Sequence, residues 1–276
     1  MKITKRSGDL VNFDRTKLLT SLIKSGAKES VAENVVQSIE KEIYDGIGAH
    51  QIYKMAFKML KQESNAHAAR YNLKGAMQQL GPAGFVFEKF VARLFDAEAF
   101  ETRTNLILEG KCVSHEVDVI VQKDQRTEMI ECKFHARSES NSDVKVPMYI
   151  LSRFNDLNHK QHVLFGHNCS FSGCWIVTNN RFTKDAITFG NCSGLKLLSW
   201  DYPQKDNLRT KIDSNQLYPI TCLTTLTNAE KDELLTMDLI LAHDIKNNLG
   251  IIEKIGLSAT RVRNIVSEVS ELCKFY

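Results

Sequence analysis

The chain has 276 residues, 43% of them hydrophobic and 25% charged, with a formal net charge of +3. This is the composition of an ordinary globular protein, with room for one large domain or two to three small ones. No run approaches the roughly 18 apolar residues of a membrane span, which excludes a spanning helix, and the weak net charge does not by itself argue for nucleic-acid binding.

The charge is uneven. Residues 1–80 carry 13 Lys/Arg against 8 Asp/Glu, and the remainder carry 23 against 25. A DNA contact in the later part would therefore need local basic strips and a metal. The seven cysteines are odd in number and scattered, and "MKITKRSGDL" has no apolar stretch behind its basic start. The expectation is a cytoplasmic protein with free thiols and no secretory signal.

In chain order, "KITKRSGDLVNFDR" predicts two short strands around a Ser7-Gly8 turn. Asp14 is a predicted N-cap for a helix from Arg15 to about Ser25, with Leu18, Leu19, Leu22 and Ile23 as its apolar stripe. Further helices are predicted over 30–44, 50–62 and 64–80. "GPAG" at 81–84 interrupts the helical pattern and marks a boundary. The next helix, "FVFEKFVARLFDAE", would bury Phe87, Phe90, Val91, Leu94 and Phe95. Strands are predicted at about 100–108, 115–122 and 128–135, then a helix "DVKVPMYILSRFNDL" with Pro147 in its first turn. "CWIVTN" (174–179) has the residue types of a strand buried on both faces. Thr183 can cap the helix "KDAITFGN", and "LKLLSW" returns as a strand. That β-α-β crossover makes the middle region α/β. The last 55 residues predict three helices, "TNAEKDELLTMDLILAH", "IKNNLGIIEKIG" and "SATRVRNIVSEVSELC". Gly256-Leu257-Ser258 between two of them resembles a helix-hairpin-helix.

Charges within the apolar alternation of "HEVDVIVQKDQRTEMIECKFH" need a reason. Alternation puts Glu131, Lys133 and His135 on one face and Ile130, Cys132 and Phe134 on the other. With Lys123 to Arg126 as a four-residue loop, Asp118 falls opposite Glu131, and a one-residue slip would separate them. Two carboxylates and a lysine suit a hard divalent cation such as Mg²⁺ and an activated water. A surface hairpin with an ion pair is the competing reading. A second cluster, His159, His162, His167, Cys169 and Cys174, has zinc-ligand types, but its spacing matches no standard knuckle.

"VDV…IECK" resembles the PD-(D/E)xK nuclease signature. "GCWIVTNNRFTKDAITFG" is similar to the segment after the catalytic strands of Mrr-like restriction endonucleases. The resemblance covers residues 81–202 and implies a restriction-endonuclease-like α/β fold with a mixed-sheet core. It implies that Asp118, Glu131 and the Cys132 carbonyl hold Mg²⁺, that Lys133 positions or activates the nucleophile, and that Glu88 orients water or a second metal. His115 and His135 flank the site, where they would touch a phosphate or be structural.

"ITKRSGDLVNFDRTKL", "YDGIGAHQIY" and "AHAARYNLKGA" resemble the ATP-cone, an α+β nucleotide-sensing module, over residues 1–80. The resemblance implies ATP or dATP as an allosteric ligand, with Lys5, Arg6 and Lys17 near the phosphates and Asn12, Phe13, Asp14 and Leu18 along the nucleotide. Ala49 stands where many members carry a hydroxyl residue. No GxxxxGK[ST] occurs, so a nucleotide would be a ligand and not fuel. The organisation expected is an ATP-cone at 1–80, a nuclease domain at 81–202 and a helical region at 221–276. The function expected is a nucleotide-regulated, Mg²⁺-dependent restriction-type endonuclease acting on double-stranded DNA, as a homo-oligomer, without a membrane. A repair or junction-resolving nuclease on the same core, or a nucleotide-responsive DNA-binding regulator with a silent core, are the alternatives.

Overall fold

In the computed structural model, which describes residues 1–5, 7–81 and 84–274 apart from the side chain of Glu253, Lys2–Thr4 (β1) pairs antiparallel with Leu10–Asn12 (β2). The turn between them closes where Gly8, at φ +89°, donates its amide to the Lys5 carbonyl. Arg15–Lys24 (α1) starts at the Asp14 cap, whose carboxylate accepts from the Lys17 amide at 2.9 Å. Glu29–Glu42 (α2) and Ala49–Glu63 (α3) follow. Leu18, Leu22, Val36, Ile39, Ile52 and Leu60 bury their apolar stripes against one another.

The single helix predicted for 64–80 is two, Asn65–Tyr71 (α4) and Leu73–Met77 (α5). Asn72 breaks it: its backbone leaves helical geometry, and its side-chain oxygen accepts the Tyr53 hydroxyl at 2.5 Å. A short amide that hydrogen-bonds elsewhere competes with the helical ladder.

The middle region begins with Phe85–Asp96 (α6), which buries the five apolar residues its periodicity predicts. Glu101–Glu109 (β3), Ser114–Lys123 (β4) and Arg126–Lys133 (β5) form an antiparallel meander. Asn141–Ser142 (β6), Lys145–Asn158 (α7), His162–Leu164 (β7) and His167–Cys169 (β8) precede Phe171–Thr178 (β9). Arg181–Phe182 (β10), Lys184–Cys192 (α8), Lys196–Leu198 (β11) and Leu208–Asn215 (α9) complete it. The five-stranded sheet has the order β11-β9-β5-β4-β3, and β9 runs parallel to both of its neighbours. Thr183 caps α8 by accepting from the Ala186 amide. One face of the sheet packs on α7 and α8 through Met129, Ile150, Leu157, Cys174 and Ile176. The other meets α6, where Phe95 lies edge-on to Trp175 with 5.4 Å between ring centroids.

The β7–β8 hairpin and α9 were not anticipated. The hairpin turns through Phe165 and Gly166, both at positive φ. It occupies the segment with zinc-ligand residue types. His162 is buried on the Leu157 carbonyl, His167 meets Gln122, and Cys169 and Cys174 are free. Among the described residues no three such side chains gather as a ligand set.

The C-terminal helices are shorter than predicted: Asn228–Thr236 (α10), Asp244–Asn247 (α11), Leu249–Lys254 (α12) and Ala259–Leu272 (α13). α10 stops because Asp238 is left-handed at φ +63° and residues 239–242 are buried outside any helix, bridged at Leu241 to Pro219. Two compact units result. One is Met77–Leu217, and the other joins Met1–Ala76 with Tyr218–Tyr276. Among the described residues, no helix is long and apolar enough to cross a membrane.

Candidate functional site

The β4–β5 hairpin sets the first site. Its ladder runs from Lys123↔Arg126 to Val119↔Ile130, a register that places Asp118 opposite Glu131. The loop is tighter than the four residues predicted. Only Asp124 and Gln125 lie outside the ladder, both at positive φ, as a two-residue hairpin turn of right-handed twist requires.

At Asp118 and Glu131 the ladder gives way to side chains. The Cys132 amide donates to Asp118 Oδ2 at 2.7 Å. Glu131 is 3% exposed. Its Oε1 receives Lys133 Nζ at 2.6 Å and its Oε2 receives Arg153 Nη1 at 2.5 Å. Arg153 comes from α7 and also donates to the Glu116 carbonyl. Glu131 and Lys133 thus share the α7 side of the sheet, as the alternation predicts. Burial and the Glu131 charge push the Asp118 carboxyl up to about 7, against the Cys132 amide, which lowers it. Glu88, in the first turn of α6, is raised by burial and by the charges of Glu116 and Glu131, while Lys133 opposes them.

Two residues here were missed. Arg153 reads in sequence as one basic residue on a helix. Asn105 interrupts the β3–β4 pairing at the position facing Asp118, with φ +56° and a buried Oδ1 that has no hydrogen-bond partner among the described residues. A non-glycine residue at positive φ inside a strand is the signal, and it is not visible from residue type alone. The flanking histidines are tied elsewhere. His115 Nε2 meets Asp156 at 2.8 Å, and His135 Nε2 meets Ser142 at 3.0 Å.

The donor set fits a hard cation. Asp118 and Glu131 offer oxygens only, and their mutual repulsion is what a divalent ion would relieve. Because no third His, Cys, Asp or Glu joins them among the described residues, the rest of the shell would come from a backbone carbonyl and water, as Mg²⁺ tolerates.

The second site lies in the other unit. A cavity of about 430 Å³ is lined by Lys5, Asn12, Phe13, Asp14, Lys17 and Leu18, and also by Ser21, Ala49, Ile52, Tyr53 and Tyr71. Its size is that of a small-ligand pocket. Arg6 lies outside the described residues. Tyr53 and Tyr71 were not singled out by sequence; their rings stack at 5.1 Å and 11°. Lys5 and Lys17 are exposed and form no ion pair among the described residues.

Comparison with known proteins matches this arrangement. Residues 1–74 match the ATP cone domain, and residues 82–202 match the restriction endonuclease (Mrr) catalytic domain. The chain is thus an ATP cone followed by a nuclease-like α/β domain with a mixed sheet, and then a helical region. Residues 218–273 match the C-terminal domain of AF1548-like proteins. An uncharacterised protein of Archaeoglobus fulgidus is 35% identical over 183 residues, 66% of this chain and 99% of that protein. The crystal structure of the protein of unknown function AF1548 superposes with a TM-score of 0.56 at 34% identity, over 68% of this chain and 97% of that one. This chain belongs to the AF1548-like family. Can2 of Sulfobacillus thermosulfidooxidans, solved with cyclic tetra-adenylate, overlaps 47% of this chain and 34% of its own at 19% identity and a TM-score of 0.32.

Proposed function

We propose that the chain is a Mg²⁺-dependent endonuclease of restriction type that hydrolyses phosphodiester bonds of double-stranded DNA and answers to ATP or dATP bound in the N-terminal cavity. The observation that carries this reading is the convergence of Asp118, Glu131 and Lys133 where β4 and β5 part, in a domain that matches a restriction endonuclease. Asp118 and Glu131 would hold the ion, with the Cys132 carbonyl as a third oxygen. When bound, the ion supplies an acidified water and neutralises charge on the phosphate. Lys133, 30% exposed at its side chain, presents its ammonium to a scissile phosphate while Glu131 fixes its position. Glu88, whose carboxyl is raised above the ordinary carboxylate range by burial and by the charges of Glu116 and Glu131, orients the attacking water. Arg153 anchors Glu131 from α7.

The ATP-cone match and the exposed cations at the cavity support the nucleotide as a ligand. Homo-oligomeric assembly that changes with nucleotide completes the reading, and free thiols at all seven cysteines accord with a reducing cytoplasm. The deciding experiment is plasmid nicking with Mg²⁺, with and without ATP. Wild type should cut, and Asp118→Ala, Glu131→Ala and Lys133→Ala should not. Cutting by all three variants would reject the site, and no cutting by wild type with any divalent ion would favour a silent core.

A further inference from the structure

The outer face of the last helix has a chemistry of its own. α13 buries Ile265, Glu268, Val269 and Leu272 on one side. On the other, Thr260, Arg263, Asn264 and Ser267 are exposed. Their spacing, i, i+3, i+4 and i+7, makes them one stripe along a helix about 21 Å long. All four carry hydrogen-bond donors, and none is acidic or apolar.

The charge around this stripe is one-sided. Arg263 reaches only the Thr260 hydroxyl, at 3.1 Å, and pairs with no carboxylate among the described residues. Lys246 and Lys254, on α11 and α12, are exposed in the same way. The described carboxylates nearby are already engaged. Asp244 meets His243 at 3.1 Å, and Glu271 accepts the Ser64 hydroxyl at 2.7 Å. Glu268 turns inward onto the amides of Thr224 and Thr225 at 2.7 and 3.0 Å. Arg261, on the same helix, is paired with Glu230, so the charge that α13 and the two short helices before it leave to solvent is that of Arg263, Lys246 and Lys254. The turn before α13 is also open. Gly256, at φ +74°, has nothing within 4 Å of where a Cβ would stand, and Ser258 caps the helix.

We propose that the Gly256 turn and the outer stripe of α13 form a contact surface for duplex DNA, distinct from the nuclease domain. Arg, Lys, Ser, Thr and Asn are the side chains that bind phosphate oxygens and, in a groove, base edges. The absence of apolar side chains from the stripe argues against a hydrophobic protein groove or a lipid surface. The choice of DNA among polyanions rests on the endonuclease reading above. Duplex held here raises the local concentration of substrate for a nuclease on the same chain.

The test is fluorescence anisotropy of a labelled duplex with the full-length chain, in chelator so that no cutting occurs, across a salt series. The double variant Lys254→Ala, Arg263→Ala should bind about tenfold more weakly, and its slope of log affinity against log salt should shrink by about 2. Calorimetric nucleotide binding should be unchanged, which checks the fold. If that variant does not fold, Ser267→Glu alone places a repelling charge on the stripe and should weaken binding several-fold. Folded variants with wild-type affinity and slope overturn the proposal. So does tighter binding of single-stranded RNA than of duplex DNA, or loss of self-association in place of DNA binding. Nicking assays read the nuclease proposal separately. A chain that binds duplex through α13 and never cuts would keep this inference and reject that one.

Discussion

Glu131 is nearly inaccessible, yet it holds a lysine and an arginine. A buried carboxylate persists only when paired, and breaking such a pair by removing one partner is strongly destabilising. The two cations are not equivalent. Arg153 is locked between Glu131 and the Glu116 carbonyl, whereas Lys133 keeps solvent access. Arg153→Met is therefore expected to cost about 3 kcal/mol, seen as a lower urea midpoint. Lys133→Ala should leave stability within about 1 kcal/mol while cutting cleavage at least a hundredfold, about 2.7 kcal/mol in barrier. Its duplex affinity should stay within a few-fold, since one amine is a small part of a phosphate-dominated interface. Equal stability losses in the two variants would refute this division of labour. Asp118 adds a pH signature. Its folded value, pushed up to about 7, lies above the unfolded value, so the folded chain holds a proton that the unfolded chain has released. Between those values stability falls as pH rises. In chelator, wild type should lose thermal stability from about pH 4 to about pH 7, and Asp118→Asn, which cannot ionise, should lose less. Mg²⁺ should narrow the difference by taking the proton's place. Melting temperatures that run parallel in the two proteins would mean that Asp118 titrates as an ordinary aspartate.

At the scale of elements, the β4–β5 hairpin sets the register on which the site depends, and its turn is strained. Asp124 and Gln125 sit at φ +50° and +61°, where a Cβ costs about 1 kcal/mol or more per residue. Gln125→Gly would create the Asp-Gly pair that this turn favours. It should raise stability by up to about 1 kcal/mol without changing nicking; a lower melting temperature would mean that the side chain of Gln125 makes a contact worth more than the strain. The hairpin also shows what sequence can reveal. Period-two alternation through residues 117–121 and 129–133, with a short loop between, is strong enough to align Asp118 with Glu131, because a one-residue slip would put one of them on the wrong face. The helices α1, α2, α3 and α6 were legible for the same reason, each with a continuous apolar stripe. Where burial is not periodic, prediction failed. Residues 239–242 are all buried but not helical, so their apolar run mimics the end of a helix. Asn72 ends α4 through a tertiary bond to Tyr53, a partner 19 residues away. Arg153 entered the site by the same kind of long-range contact, from a helix that starts well after the strand it serves.

At the scale of the molecule, the N-terminal and C-terminal segments belong to one compact unit although the middle region separates them in sequence. α4 is the element they share. Its Tyr71 lines the N-terminal cavity. Its neighbour Arg70 donates to the Leu272 carbonyl at 2.7 Å, at the end of α13. The Ser64 cap of α4 gives its hydroxyl to Glu271, and Thr221 donates to the Ala76 carbonyl. A ligand that orders α4 is therefore expected to act on α13 as well, because opening α13 breaks its bonds to α4. Coupling of this kind is reciprocal, so nucleotide and duplex should influence each other's binding through this unit. Hydrogen exchange with a non-hydrolysable ATP analogue is the direct measurement. Amides of α13 should gain protection along with those of α1, α3 and α4, even though none of its residues lines the cavity. Arg70→Ala should keep nucleotide binding within a few-fold, since Arg70 does not line the cavity, but should uncouple α13, whose exchange would then ignore the analogue. Protection confined to residues 1–74 in the wild-type chain would show that the C-terminal helices pack on the nucleotide-binding helices without sensing what those helices bind.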